Sequence, residues 1–415
     1  MLHTLVLCLA AAIAAPSDDA ALERRVDKIL AKTPLVDGHN DTPWAVRSRA
    51  NRRLSDVPLH EDTLHLDRPM HTDIPRLRQG KAGGVFWSVW IPTDLEGADA
   101  VLTVLEQIDL VHRMVERWPD DLQLATTAAE VRQIHRAGRI ASLIGMEGGH
   151  SIAGNLAALR TTYRAGVRYM TLTHWETISW ADAATDAPRS DGLAPFGEDV
   201  VAEMNRLGML VDLSHVSAAT MRDALRVTAA PVIFSHSGAF AINPHPRNVP
   251  DDVLDLVKGN GGVVMVDFLP DYVSQEVFIW RTLRSAERAR LEALHLGAPD
   301  KAQAALEAWE AENPKPRSTL AQVVDHIDHI AQRIGAEHIG IGSDFDGMHD
   351  QPDGLDDVGA VPALLVELLR RGYTDAEVAG IAGGNVLRVM EEAEAVASRL
   401  QAERPASEAD LEASQ

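Results

Sequence analysis

The chain has 415 residues, 46% of them hydrophobic, and a formal net charge of −22. That is enough apolar material for one large core, and the acidic balance argues against a nucleic-acid partner or charge-driven binding to anionic membranes. The single cysteine, Cys8, lies in the opening segment, so any metal further along must be held by His, Asp or Glu.

Residues 1–15 are apolar and end in Ala12-Ile13-Ala14, a small-x-small cleavage pattern. The run is too short to cross a bilayer and reads as a signal peptide, although its only basic-type residue is His3. Cleavage is expected near Ala14 or Ala15, giving a periplasmic or secreted protein with no transmembrane span.

Eight apolar runs then read as strands: residues 35–36, 84–90, 140–146, 169–173, 210–213, 232–235, 263–268 and 339–343. Between most of them lie helical patterns, clearest at 98–118, 156–164, 196–207, 218–227, 320–334 and 361–371. Ser217 is placed to cap one helix, while Gly208 and Gly335 end two others. Such alternation means a parallel (β/α)8 barrel or a doubly wound sheet. Glycine-rich phosphate loops are missing, and polar residues recur at strand ends along the whole length, so a TIM-like barrel spanning residues 16–390 is expected. Residues 278–316, charged and Ala-rich, break the rhythm and read as a helical insertion after the seventh strand. Residues 391–415 read as an acidic tail that continues a helix and then frays.

The chemistry sits where the apolar runs stop. His39 and Asp41 follow the first run, two residues apart and so on one side of a strand. Glu147 ends the third run beside Gly148 and Gly149, which suggests close backbone approach. His215 and His236 end two consecutive runs. One such histidine would more often be a satisfied core residue than a ligand, and a lone buried glutamate a salt-bridge partner. Together the five side chains point to metal. They are too few for two separate zinc sites, but suffice if one carboxylate bridges two ions. Glu147 is the natural bridge, with His39 and Asp41 on one Zn2+ and His215 and His236 on the other.

Hydrolysis also needs a group to stabilise an oxyanion and one to carry a proton. His174, ending the fourth run, fits the first role, and Asp344, ending the eighth, fits the second. Asp346 competes with Asp344, but Gly347 after it suggests a turn. Arg247, in a loop expected on the same face, suits a substrate carboxylate. His326 and His329 have helical metal-pair spacing but lie mid-helix, and read as solvated or structural. His150 is a candidate to support the site from behind.

The blocks Asp37-Gly38-His39-Asn40-Asp41, Glu147-Gly148-Gly149-His150, Asp212-Leu213-Ser214-His215, Phe234-Ser235-His236-Ser237, Arg247-Asn248-Val249-Pro250 and Gly342-Ser343-Asp344-Phe345-Asp346-Gly347 resemble the membrane dipeptidase (renal dipeptidase) family of the amidohydrolase superfamily. They occur in family order across nearly the whole chain. The resemblance implies a binuclear zinc dipeptidase, usually a homodimer, with His39, Asp41, Glu147, His215 and His236 as ligands. It implies that His174 polarises the scissile carbonyl, Asp344 moves the proton, and Arg247 with Tyr272 holds the dipeptide's terminal carboxylate. It also implies tolerance of C-terminal D-residues. Trp175 and Glu176 depart from the mammalian pattern. Two other readings stay open: a barrel hydrolase of a different amide, ester or lactone, and a silent binding protein on the same fold.

Overall fold

The computed structural model of the chain describes residues 18–411; the expected signal peptide lies outside the described residues. Nine parallel strands follow one another: β1 Leu35–Asn40, β2 Ala82–Ser88, β3 Leu122–Leu124, β4 Ile140–Glu147, β5 Val167–Thr171, β6 Leu210–Asp212, β7 Ile233–Phe234, β8 Val263–Val266 and β9 Ile339–Ile341. β1 pairs with both β2 and β9, and β5 to β9 pair in sequence. Closure comes from β2 against β4, with Gly84 opposite Ala141 and Ser88 opposite Gly145. On its other side β4 pairs first with β3 and then with β5. The eight expected runs thus form a closed (β/α)8 barrel. β3 is an addition whose three residues carry too little pattern to be read beforehand.

Alternation along the strands separates two cores. Phe86, Leu143, Tyr169, Ile233 and Val263 belong to one buried cluster. Their neighbours Val85, Ile144, Met170, Phe234 and Val264 belong to a larger cluster shared with the surrounding helices. Several strands are shorter than their apolar runs because their ends bond to side chains in place of the ladder. Ser235 N–H donates to Asp212 Oδ1 (2.8 Å) and Ser343 N–H to Asp37 Oδ1 (2.8 Å). These carboxylates let the chain leave the sheet at the C-terminal rim without stranding its amides.

The insertion after β8 is a pair of helices, Gln275–Leu294 and Pro299–Glu312. It has its own small apolar contact of Leu291, Ala302 and Leu306. Arg281 Nε ties it to Asp271 Oδ1 at 2.6 Å. The acidic segment from Glu391 continues the helix Asn385–Glu403. Ala393, Ala397 and Leu400, at one-turn spacing, bury one face of it, while the acids face water. Among the described residues no helix is long and apolar enough to cross a membrane.

One glycine couples barrel packing to the rim. A Cβ on Gly145 would overlap the Tyr169 ring, which is fully buried across the strand pair. Gly145→Ala must therefore displace Tyr169, and we expect it to cost about 1–3 kcal/mol of stability. Chemical denaturation of the two proteins checks this; equal midpoints would show that the ring moves freely.

Candidate metal centre

The C-terminal ends of the strands place their last side chains around one point. Glu147, ending β4, is 3% exposed and surrounded by imidazoles. Its Oε1 lies 3.0 Å from His215 Nε2, 3.5 Å from His236 Nε2 and 3.6 Å from His174 Nε2. Its Oε2 lies 3.4 Å from His39 Nε2 and accepts from Ser88 Oγ at 3.0 Å. His39 Nε2 is also 3.5 Å from Asp41 Oδ2. The atoms of His39, Asp41 and Asp344 form a further tight group. Every sequence-predicted ligand is therefore in one place, with Glu147 between His39 on one side and His215 and His236 on the other.

The backbone at this rim is held in costly conformations. His215, Asp344 and Asp346 have φ of +67°, +61° and +68°, the left-handed region that non-glycine residues avoid. Such positions cost roughly 1–3 kcal/mol each and cluster at functional sites. A Cβ on Gly347 would collide with the Asp41 and Asp344 carboxylates, so both acids crowd against a backbone that glycine alone permits.

Outer partners decide which nitrogen of each ring carries a proton. The Tyr169 hydroxyl donates to Gly38 O (3.2 Å), leaving its oxygen to accept from His39 Nδ1 at 2.8 Å. Ser235 Oγ donates to Asp212 Oδ2 (2.6 Å), leaving its oxygen to accept from His236 Nδ1 at 2.8 Å. In the neutral form both rings thus turn a bare Nε2 toward Glu147, as a metal ligand requires. His39 Nε2 is buried with no hydrogen-bond partner. His215 Nε2 and His236 Nε2 stand 2.9 Å apart. That is hydrogen-bond distance, and two nitrogens bound tetrahedrally to one zinc would sit slightly further apart, roughly 3.3 Å. Burial, reinforced by the Arg247 charge, holds His174 and His215 well below the usual imidazole range. Burial does the same for His236, whereas at His39 burial is outweighed by Tyr169, Glu147 and Asp41, which hold that ring well above the range. Neutral imidazoles are what a metal needs.

A cavity of about 160 Å3 opens onto this cluster. Glu147, His174, His215, His236, Asp41 and Asp344 form its floor; Trp44, Trp90, Trp175, Leu269 and Tyr272 complete its wall. Burial first, then the carboxylates of Asp267 and Asp41, push the Asp344 carboxyl well above its ordinary range.

Arg247 is not a wall residue of the cavity. It is fully buried, donating to His236 O at 3.1 Å, with its guanidinium carbon 5.0 Å from the Tyr272 ring and Nε unpartnered. Asp346 faces away from the metal cluster. It accepts from Thr42 Oγ1 (2.7 Å) and His71 N–H (2.7 Å), which makes it a brace between loops. His326 is fully buried and pins two loops: Nδ1 accepts from Ala239 N–H (2.9 Å) and Nε2 lies 3.0 Å from Val273 O. His329 pairs with Asp251 at 2.7 Å. His150 Nε2 lies 3.3 Å from Ile91 O.

Sequence reasoning missed Tyr169, Asp212, Ser235, Ser88 and Trp90. Two carried a signal: a phenol and a carboxylate inside apolar strands each need a polar partner. The others are short or amphipathic residues whose partners lie far away in sequence.

A profile of the family described as "Membrane dipeptidase (Peptidase family M19)" matches residues 23–404. Dipeptidase verJ of Clonostachys rogersoniana is 41% identical over 384 residues, 90% of this chain and 87% of that one. Among solved structures, the probable dipeptidase PvdM from Pseudomonas aeruginosa aligns with a TM-score of 0.75 at 23% identity, over 91% of this chain and 99% of its own. A metallo peptidase from Rhodobacter sphaeroides, liganded with a phosphinate mimic of the dipeptide L-Ala-D-Ala, aligns at 0.71 and 23% identity, over 87% and 99%. At such identities the structural likeness speaks for the fold.

The Ser235 bridge gives a direct test of ring wiring. Ser235→Ala removes the acceptor at His236 Nδ1, and divalent-metal affinity should fall about 10- to 100-fold. Competition with a chelating dye measures it; unchanged affinity would show that the bridge does not orient the ring.

Proposed function

The chain belongs to the membrane dipeptidase family and is a metallodipeptidase of that family; from that premise we propose that it holds two zinc ions and cleaves dipeptides with a free C-terminal carboxylate, C-terminal D-residues included. The observation that carries the two-ion reading is the position of Glu147, one carboxylate oxygen toward His215 and His236 and the other toward His39. His39 and Asp41 would hold one zinc, His215 and His236 the other, and Glu147 both. Zinc so held would supply Lewis acidity, which makes water easier to deprotonate near neutral pH and polarises a carbonyl oxygen.

The side chains divide the remaining work. Asp344 lines the cavity beside Asp41, and its raised proton affinity suits a group that takes a proton from the attacking water and delivers it to the leaving amine. His174 faces the same space and would donate to the oxygen on which charge develops. Trp44, Trp90 and Trp175 shut out water on one flank. Arg247 acts from behind Tyr272. Its buried and incompletely bonded charge favours an anion lodged against that ring, which is where a dipeptide's carboxylate belongs. The phosphinate mimic of L-Ala-D-Ala on the Rhodobacter neighbour supports including D-residues in the substrate range.

The test is hydrolysis of matched L,L and L,D dipeptides and their C-terminal amides, by protein of measured metal content. We expect about two zinc per chain, loss of turnover with a chelator, recovery on adding zinc, and preference for the free acids. Arg247→Ala should shrink the acid-over-amide preference at least about tenfold, since it removes the charge that selects the carboxylate. Turnover that survives full metal removal would overturn the reading. Equal use of acid and amide by the unaltered protein would overturn the role given to Arg247.

A further inference from the structure

Four imidazoles reach toward Glu147, and distance alone does not separate them. His174 Nε2 is 3.6 Å from Glu147 Oε1, against 3.5 Å for His236. Glu147, His174 and His215 even form a group compact enough for an ion. What separates His174 is its other nitrogen. At His39 and His236 the outer partner is an oxygen that accepts, so Nδ1 carries the proton and Nε2 is bare. At His174 the outer partner is the indole of Trp90, whose Nε1 lies 3.0 Å from Nδ1. An indole N–H only donates. Nδ1 of His174 must therefore be the bare nitrogen, and in the neutral ring the proton sits on Nε2, toward the cavity.

Resting on the dipeptidase reading for its catalytic consequence, we infer that Trp90 is a positioning residue: its indole N–H holds His174 as the Nε2–H tautomer, a hydrogen-bond donor to the scissile carbonyl and not a third ligand for a metal. The arrangement inverts the usual support of a ligating histidine, in which the outer partner accepts from the ring. Trp90 is itself held firmly. Its ring meets Trp44 edge-on at 4.4 Å, and its carbonyl accepts from Gln107 Nε2 at 3.4 Å. Trp90 lies just past the end of β2 and His174 just past the end of β5, so the barrel fixes both partners. A ring free to exchange tautomers would spend part of its time with a bare Nε2, unable to donate and able to compete for metal.

The experiment compares the zinc-loaded full chain with Trp90→Phe and Trp90→His. Phe keeps an aromatic ring without a donor. The five-membered ring of His places its Nε2–H where the indole carries Nε1–H, so it can restore the hydrogen bond. Ring-nitrogen NMR of 15N-histidine-labelled protein, with His174→Gln to assign the signals, should report a bare Nδ1 and protonated Nε2 at His174. Trp90→Phe should lose that signature. It should lower kcat about ten- to hundredfold, with KM changed less than about threefold and zinc content unchanged, because the lost interaction belongs to the transition state. Trp90→His should regain the signature and most of kcat.

Nδ1–H at His174 in the unaltered protein would overturn the inference. So would equal losses in the Phe and His variants, which would make indole packing the cause. Failure of the unaltered, zinc-loaded protein to cleave any dipeptide would sink the dipeptidase reading instead, and the ring-nitrogen spectra would still decide for or against the role of Trp90.

Discussion

Glu147 is a nearly buried carboxylate at the end of a core strand, and among the described residues it forms no ion pair with an arginine or lysine. Burying an ion in that way costs several kcal/mol unless positive charge or hydrogen bonds answer it. Ser88 supplies one hydrogen bond. The other neighbours are imidazoles, three of which burial keeps neutral. A buried acid toward which His39 and His236 turn bare nitrogens is electrostatically incomplete, and a divalent cation would complete it. The rest of the rim is arranged so that this incompleteness survives folding.

The scaffold meets that requirement by substituting side chains for the sheet. Asp212 accepts from Ser214 N–H, Ser235 N–H, Ser235 Oγ and Thr171 Oγ1, joining three strands where their ladders end. Asp37 does the same between β1 and β9 through Ser343. The bonds that release the chain from the barrel also aim the ligands. Left-handed residues at His215 and Asp344 are local strains that this network holds in place. Tyr169 and Gly145 extend the coupling into the barrel interior, since the phenol that orients His39 fills the space a side chain at 145 would occupy.

Much of this was legible in the sequence, for a physical reason. A residue such as Glu147 or His236 that ends a buried apolar run has no comfortable structural role, so its position alone raises the question of metal. Strand–helix alternation, with polar residues recurring at strand ends and no glycine-rich phosphate loop, pointed to the barrel class. The three-residue β3 was not legible, because so short a run carries no period. Trp90 and Ser235 were not legible either: whether a group donates or accepts matters only once the fold sets it beside a particular ring nitrogen. Arg247 shows the same limit from the other side. Its guanidinium was expected to face the cavity, and it lies behind Tyr272, since a loop residue's direction depends on packing that no local pattern encodes. His326, read as solvated or structural despite its metal-pair spacing, is a buried brace, and helical spacing alone could not say which loops it would join.

The central claim is that one carboxylate joins two metal ions while the nearby His174 binds neither. Anomalous diffraction at the zinc absorption edge, on crystals of the zinc-loaded protein, tests it most directly. The account predicts two peaks about 3.5–4 Å apart, both within bonding distance of Glu147, one reached by His39 and Asp41 and the other by His215 and His236. A single peak, or a peak bonded to His174 Nε2, would contradict it.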